Sequence, residues 1–173
     1  VIVLAKMANT KSMAFIGNID DSVEQIVNSN KHDLFKPLPK AFDLALLHRM
    51  YYYLPGWEVA QPGSEMLTNN FGFITDYLAE AMHHQAKSQN RSSYVQSNCK
   101  LGPAIIGRDE KAIIKTVSAF LKLLHPHGDP EPEELNEYLE YALEGRRRVK
   151  EQLNKRKNDD EFAEINFTYF SQS

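Results

Sequence analysis

The sequence predicts a mainly α-helical chain with a few short β-strands, and three observations carry that prediction. Apolar residues recur at helical spacing over three long segments in the second part of the chain. Two short apolar runs in the first part, bounded by glycine and polar residues, have the composition of strands. Between the parts lies Leu54 to Gly63, where Pro55, Gly56, Pro62 and Gly63 surround Trp57 and mark a hinge or linker.

Taken in order, Val1 to Lys11 is ambiguous: VIVLA is rich in β-branched residues, while the stretch through Met7 also fits a helix. Ser12 to Gly17, SMAFIG, has the pattern of a buried strand, with Asn18 and Asp20 at its C-terminal end. In α/β sheets that edge is where ligands are met, so Asn18 is a functional candidate; an Asx-turn closing the strand is the competing reading. Asp21 to Asn30 reads as a helix capped by Asp21 or Ser22, with Val23, Ile26 and Val27 on one face. The prolines of LFKPLPKAF forbid regular helix. Asp43 to Met50 reads as a short helix ending in Arg49, and Tyr51 to Tyr53 as a second strand. Arg49 therefore stands at a helix-to-strand corner, where a solvated arginine is also what the helix dipole alone favours.

Phe73 to Lys87 places Ile74, Tyr77, Leu78, Ala81 and Met82 on one stripe of an amphipathic helix. Ser88 to Asn98 is polar and is expected as an exposed loop, and Cys99 to Gly107 as a loop with a short extended piece. Asp109 to Leu124 is the clearest helix, with Ile113, Val117, Phe120, Leu121 and Leu124 on its stripe and Asp109 and Glu110 at its positive end. HPHGDPEP is a turn. A long charged helix then runs from about Pro132 to Lys157, with Leu135, Leu139, Ala142, Val149 and Leu153 on one face. Continuing that spacing lands on Arg146. A guanidinium leaves water only at high cost. Either Arg146 meets an anion, or it snorkels with Arg147 and Arg148 over the core edge and pairs with Glu140, Glu144 and Glu151. The closing stretch EFAEINFTYF alternates partly and reads as a further strand.

Composition bounds the function. The 173 residues, 42% hydrophobic and 25% charged, suffice for one domain or two small ones. A net charge of -3 implies no bulk attraction to nucleic acid. The one cysteine, Cys99, excludes an intrachain disulfide framework and fits a reducing, cytoplasmic setting. No apolar run has the length of a membrane span, so no membrane association is expected. The chain starts without methionine inside an apolar segment, which reads as a fragment. His83 and His84 are helix neighbours pointing about 100° apart and cannot share a metal as an i, i+4 pair does. His125 and His127, with Asp129 near, read as solvated turn residues more readily than as a metal site. No nucleophile or general-base motif joins either group, so no catalytic histidine and no metal site is expected.

The blocks SMAFIGNID, LFKPLP, LLHRMYYYLPGWE, NFGFITDYLAEAMH, GRDEKAIIKTVSAFLKLLHP and YALEGRRRVKEQL together resemble the Lon-like AAA+ protein of bacteriophage-exclusion (BREX) systems. The resemblance covers nearly the whole chain. It implies the C-terminal part of an AAA+ α/β core in residues 1–54, a linker in 55–63 and an α-helical lid in 64–158. Residues 159–173 would start a strand leading to an absent Lon-like domain.

The same resemblance implies Asn18 as the sensor 1 asparagine, which positions the attacking water together with the Walker B acid. It implies Arg49, in the LLHRM match to the Lon-type LLDRM pattern, as an arginine finger that enters a neighbouring subunit's nucleotide site. His48 replaces the aspartate of that pattern. The sensor 2 arginine falls within Gly145 to Arg148: the glycine-x-arginine register of Lon selects Arg147, and the helical stripe selects Arg146.

The sequence has no G-x-x-x-x-G-K-S/T stretch and no Walker B strand. ATP and Mg2+ are therefore expected in the intact parent, with neither bound by this fragment alone, which is expected to be inactive. By resemblance the parent is a homo-oligomer, a hexameric ring that hydrolyses ATP and acts on DNA or protein in phage defence. The alternative is a stand-alone helical interaction module derived from such a lid, its arginines meeting an acidic partner protein. A third reading, a nucleic-acid binder using Arg146, Arg147, Arg148, Lys150, Lys155, Arg156 and Lys157, requires steeply salt-dependent binding.

Overall fold

The computed structural model describes residues 2–6, 12–19, 22–29, 32–88, 90–158 and 160–170. Helices dominate and the strands are few and short, the class that the sequence predicts. Strands β1 (Ile2–Lys6), β2 (Ser12–Ile16) and β3 (Met50–Leu54) form an antiparallel sheet in the order β2-β1-β3. Of the ambiguous opening stretch, Ile2–Lys6 is thus a strand, paired on both sides, while Val1 and residues 7–11 lie outside the described residues. Ile2 faces Ile16 on one neighbour and Leu54 on the other, while Ala5 faces Met13 and Met50, with a register shift between Leu4 and Ala5. Strands β2 and β3 therefore run the same way and finish at the same end of the sheet. SMAFIG differs from expectation in one respect: β2 is an outer strand and not a buried one, and Ile16 is 78% exposed.

Helix α1 (Val23–Asn28) starts where Ser22 Oγ accepts the Gln25 amide at 3.4 Å; it buries Ile26 and leaves Val27 exposed. Asp20 and Asp21 lie outside the described residues. Asp43 caps α2 (Leu44–Leu47) by accepting the Leu46 amide at 2.7 Å. Ile26, Phe35, Leu47, Met50 and Tyr53 pack with Val149, Leu153 and Phe162 in a first core, so the strand-bearing part shares its interior with the far end of the chain.

The helix expected at Phe73 to Lys87 is α3 (Thr75–Ser88). Its stripe is present, yet Ile74, Tyr77, Leu78 and Met82 are exposed. Ser88 to Asn98 is not a plain loop: it contains α4 (Ser92–Asn98). The reason is burial of Val95, with Tyr94 beside it, against α5 (Arg108–Leu124), which outweighs the weak helix propensity of its serines. Helix α6 (Pro132–Arg156) opens with Pro132 in its first turn and with Glu134 accepting the Glu131 amide at 2.9 Å. Ile113, Val117 and Leu121 of α5 meet Leu135, Leu139 and Ala142 of α6 in a second core.

The closing stretch is not one strand. It makes the short helix α7 (Asp160–Ala163) and then β5 (Tyr169–Phe170), which pairs with β4 (Lys100–Leu101). Phe162 joins the first core, and Phe167 and Tyr169 lie against the second, so their burial bends the segment back onto the helices.

Gly145 lies inside α6, where glycine costs about 1 kcal/mol relative to alanine. The Tyr52 ring of β3 occupies the volume that a Cβ would need. Gly145→Val is expected to lower stability by roughly 1–3 kcal/mol, read as a reduced thermal midpoint. Combining it with Tyr52→Ala is expected to recover part of that loss.

Candidate functional site

Successive helical residues point about 100° apart, so Arg146, Arg147 and Arg148 leave α6 in three directions. Arg146 goes inward and is 0% exposed. Its Nε donates to Asp109 Oδ1 at 2.7 Å, one Nη donates to the His48 carbonyl at 3.2 Å, and the other donates to the Met50 carbonyl. The second Asp109 oxygen accepts Lys150 Nζ at 2.9 Å. One buried carboxylate in the first turn of α5 thus serves two buried cations, in the favourable field of the helix N-terminus. Burial disfavours the Arg146 charge and Asp109 opposes that effect; the net pull is downward. The start of α5 is set by Gly107, whose φ of 58° lies in the left-handed region that glycine tolerates.

Arg147 and Arg148 stay at the surface. Arg147 reaches Glu144 through Nε and one Nη, both at 2.8 Å, and Glu151 through the other Nη. Arg148 donates to Glu144 at 2.6 Å and to the two Glu58 oxygens at 2.8 and 2.9 Å. Surface pairing with Glu144 and Glu151 is what helical spacing offers, whereas Glu140 accepts the Tyr169 hydroxyl at 2.8 Å. Burial pushes the Glu144 carboxyl up, but hydrogen bonds from Arg147 and Arg148 outweigh this and it titrates below its ordinary range. Pro55, Trp57 and Glu58, in the segment after β3 read from the sequence as a linker, join Glu144, Arg147 and Glu151 around a cleft of about 550 Å³.

Arg49 stands exposed at the corner between α2 and β3, with an Nη on the Ala45 carbonyl at 3.1 Å. The preceding His48 points the other way. It is 6% exposed, its Nδ1 lies 2.9 Å from an Arg108 Nη, and its ring meets Phe162 edge-on with centroids 5.2 Å apart. A guanidinium only donates, so His48 Nδ1 accepts and Nε2 carries the proton. Burial, and next the Arg146 cation, bring the imidazole down to about 4.

Asn18 is exposed in the loop after β2. The register sets it at the end of the sheet where β3 runs out into Pro55 and Trp57. Arg49 precedes β3 at the opposite end, roughly 14 Å away for a five-residue strand. The structure therefore brings Arg146 to the backbone on both sides of Arg49. It sets Arg147 in the linker cleft, at the end of the sheet that Asn18 shares.

Asp109, Lys150, Arg108 and Glu58 belong to this site. Arg108 and Glu58 are not singled out from the sequence; Asp109 is read there only as a helix-end acid, and Lys150 only as one cation of a nucleic-acid-binding surface. A signal for one of them exists: Asp109 is four residues before Ile113 and eight before Val117, on the buried stripe of α5 as Arg146 is on that of α6. The remaining titratable candidates have other duties. Arg91 holds the 125–129 turn through Asp129 at 2.6 Å, the His125 carbonyl at 3.0 Å and the Gly128 carbonyl. His125 Nε2 lies 2.9 Å from the Tyr138 hydroxyl. Burial pushes the Cys99 thiol up to about 11, away from nucleophilic use. Among the described residues no group of three or more His, Cys, Asp or Glu side chains is placed to hold a metal, and no helix is long and apolar enough to cross a membrane.

The family model described as "Lon-like protease BrxL-like, ATPase domain" matches residues 4–168. The chain belongs to the BrxL-like family. It is 46% identical over 160 residues to the Lon-like protease BrxL of Bacillus cereus (strain H3081.97), covering 91% of this chain and 23% of that protein. To the Lon-like protease BrxL of Escherichia coli O9:H4 (strain HS) it is 44% identical over 159 residues, 91% of this chain and 22% of that protein. The chain thus spans less than a quarter of the length of these curated BrxL relatives. The family named from the sequence is the one these comparisons return.

The folded-state pKa of His48, about 4, lies below its ordinary 6.5, so between these values the unfolded chain binds the extra proton. The contribution of neutral, buried His48 is fully present above pH 6.5 and is lost as pH falls towards 4, on the order of 3 kcal/mol. Urea unfolding at pH 7 and pH 4.5 is expected to show this fall, and His48→Gln is expected to flatten it.

Proposed function

We propose that this chain is the nucleotide-responsive part of a Lon-like AAA+ ATPase that assembles as a homo-oligomeric, hexameric ring in the cytoplasm. In phage defence that ring uses ATP to move a polymer, DNA or protein. The observation that supports this reading most is the two-ended sheet. Asn18 and the Arg147 cleft share the end where β2 and β3 finish, and Arg49 stands exposed at the other end. A subunit so arranged attends to its own nucleotide with one end and to a neighbour's with the other.

Arg147 takes the sensor 2 role in this reading. A group that contacts a γ-phosphate has to be reachable from solvent. Arg146 is enclosed, and its partners are a buried carboxylate and two backbone carbonyls. The Arg147 side chain is 36% exposed, and its partners are surface carboxylates whose hold on it is worth roughly 0–1 kcal/mol, weak enough for a phosphate to displace. The cleft sets three cations, Arg147, Arg148 and Lys155, against three carboxylates, Glu58, Glu144 and Glu151, so a phosphate binds there by displacing a carboxylate from Arg147. ATP and Mg2+ bring the phosphoanhydride chemistry of the full-length protein, since this sequence lacks a Walker A stretch to cradle a triphosphate. The residues of this chain orient and report: Asn18 holds the attacking water, Arg49 stabilises transition-state charge next door, and Arg147 reads the terminal phosphate.

In the full-length protein, Arg49→Ala is expected to cut steady-state ATP turnover by about 10³-fold or more while fluorescent-nucleotide binding persists. Turnover within a few fold of the unmodified protein would remove the finger assignment. Arg147→Ala is expected to narrow the preference for ATP over ADP several fold at an unchanged thermal midpoint. An unaltered preference would leave Arg147 as a surface ion-pair residue.

A further inference from the structure

We infer that Arg146 is a positioning residue for Arg49: it clasps the backbone on both sides of the finger and makes the finger's placement follow helix α6. This rests on the reading of Arg49 as a finger. The two carbonyls that Arg146 takes belong to His48 and Met50, the residues immediately before and after Arg49. A planar guanidinium bonded to both fixes the direction of the intervening residue as no single bond does. Asp109 on α5 fixes the guanidinium in turn, through Nε at 2.7 Å. The His48 ring is held by Arg108 of α5 and by Phe162 of α7. The corner that carries Arg49 is therefore fastened from α5, α6 and α7, all of which follow the linker in the chain.

The clasp also connects two functions. Arg146 and Arg147 are neighbours on one rigid helix, so a tilt or rotation of α6 that accompanies engagement of Arg147 in its cleft moves the Arg146 guanidinium. Because that guanidinium holds residues 48 and 50, Arg49 moves with it. Nucleotide state in one subunit is thereby passed to the residue offered to the next, through two adjacent side chains. Coupling of this kind has a physical carrier in contiguous, fully bonded groups.

The test uses the full-length protein with Arg146→Lys, which keeps a cation beside Asp109 but cannot span both carbonyls, and Arg49→Ala. For Arg146→Lys the expected result is a fall of about tenfold or more in kcat with KM for ATP and nucleotide affinity within about twofold of the unmodified protein, as for a lost transition-state contact. The double variant is expected to turn over no more slowly than Arg49→Ala alone. Three results would overturn the inference: an unchanged kcat in Arg146→Lys, a parallel loss of nucleotide affinity, or an additive loss in the double variant. Retained turnover in Arg49→Ala by itself would instead remove the finger reading on which the inference stands. Should Arg146→Lys fail to fold, hydrogen exchange in the unmodified protein decides. Replacing ADP by a non-hydrolysable ATP analogue should change exchange in residues 48–51 together with 143–150, and a change confined to the second segment would overturn the clasp.

Discussion

Moving a guanidinium fully out of water costs several kcal/mol, and the cost is offset only where its donors meet good acceptors. Arg146 meets that condition by drawing on three elements at once: Asp109 at the start of α5, His48 at the end of α2 and Met50 at the start of β3. The same carboxylate completes Lys150. A slide of α6 by one turn would leave two buried cations and one buried carboxylate without partners. Apolar residues of the same volume often give equal stability, but they tolerate sliding. What the charged cluster adds is a single register between α6, α5 and the α2–β3 corner. Gly145 belongs to the same constraint, because only a residue without a side chain lets α6 approach the Tyr52 ring closely enough for Arg146 to reach those carbonyls.

Along α6 the cluster falls at a seam. Leu135, Leu139, Ala142 and Leu143 belong to the second core, Val149 and Leu153 to the first, and Arg146 lies between. One helix thus contributes to both interiors. Glu58, in the turn after β3, is held to α6 by both of its oxygens on Arg148. A lid swinging freely on residues 54–63 would have to pull the far half of α6 out of the first core. On the proposed function, small tilts of α6 about its polar seam are the motion that leaves both cores intact.

The helices were legible because burial imposes a 3.6-residue period, and α5 and α6 show it over several turns. The place of Arg146 on the stripe was legible too, but meeting a buried anion was one of two readings, the other being a snorkelling arginine; burial on Asp109, itself at a stripe position of α5, decides between them. What local pattern could not supply was long-range. VIVLA suits strand or helix as a pattern, and Ile2–Lys6 is β1 because β2 pairs with it on one side and β3, far along the chain, on the other. Helix α4 looks like a polar loop until Val95 finds α5. For the site, physical chemistry alone left Arg49 as a solvated helix-end arginine and Asn18 as a turn former. The roles proposed for them rest on resemblance; what the geometry adds is that, of the two adjacent arginines, Arg146 is enclosed and Arg147 is paired at the surface.

His48 is where that geometry departs most from the Lon-type pattern, which has an acid in its place, and the surrounding charges give a reason for the change to be workable. The corner holds Arg146, Lys150 and Arg108 but, among the described residues bonded there, one carboxylate, Asp109. A second carboxylate at position 48 would compete with Asp109 for Arg146 and draw the guanidinium off the carbonyls flanking Arg49. A neutral imidazole occupies Arg108 as an acceptor and brings no charge of its own. Among the described residues Arg146 then has Asp109 as its ionic partner, and its two remaining nitrogens are left for backbone. In this chain the direction of the exposed Arg49 is consequently set from within, by a buried arginine whose orientation depends on its neighbour at position 48 staying uncharged.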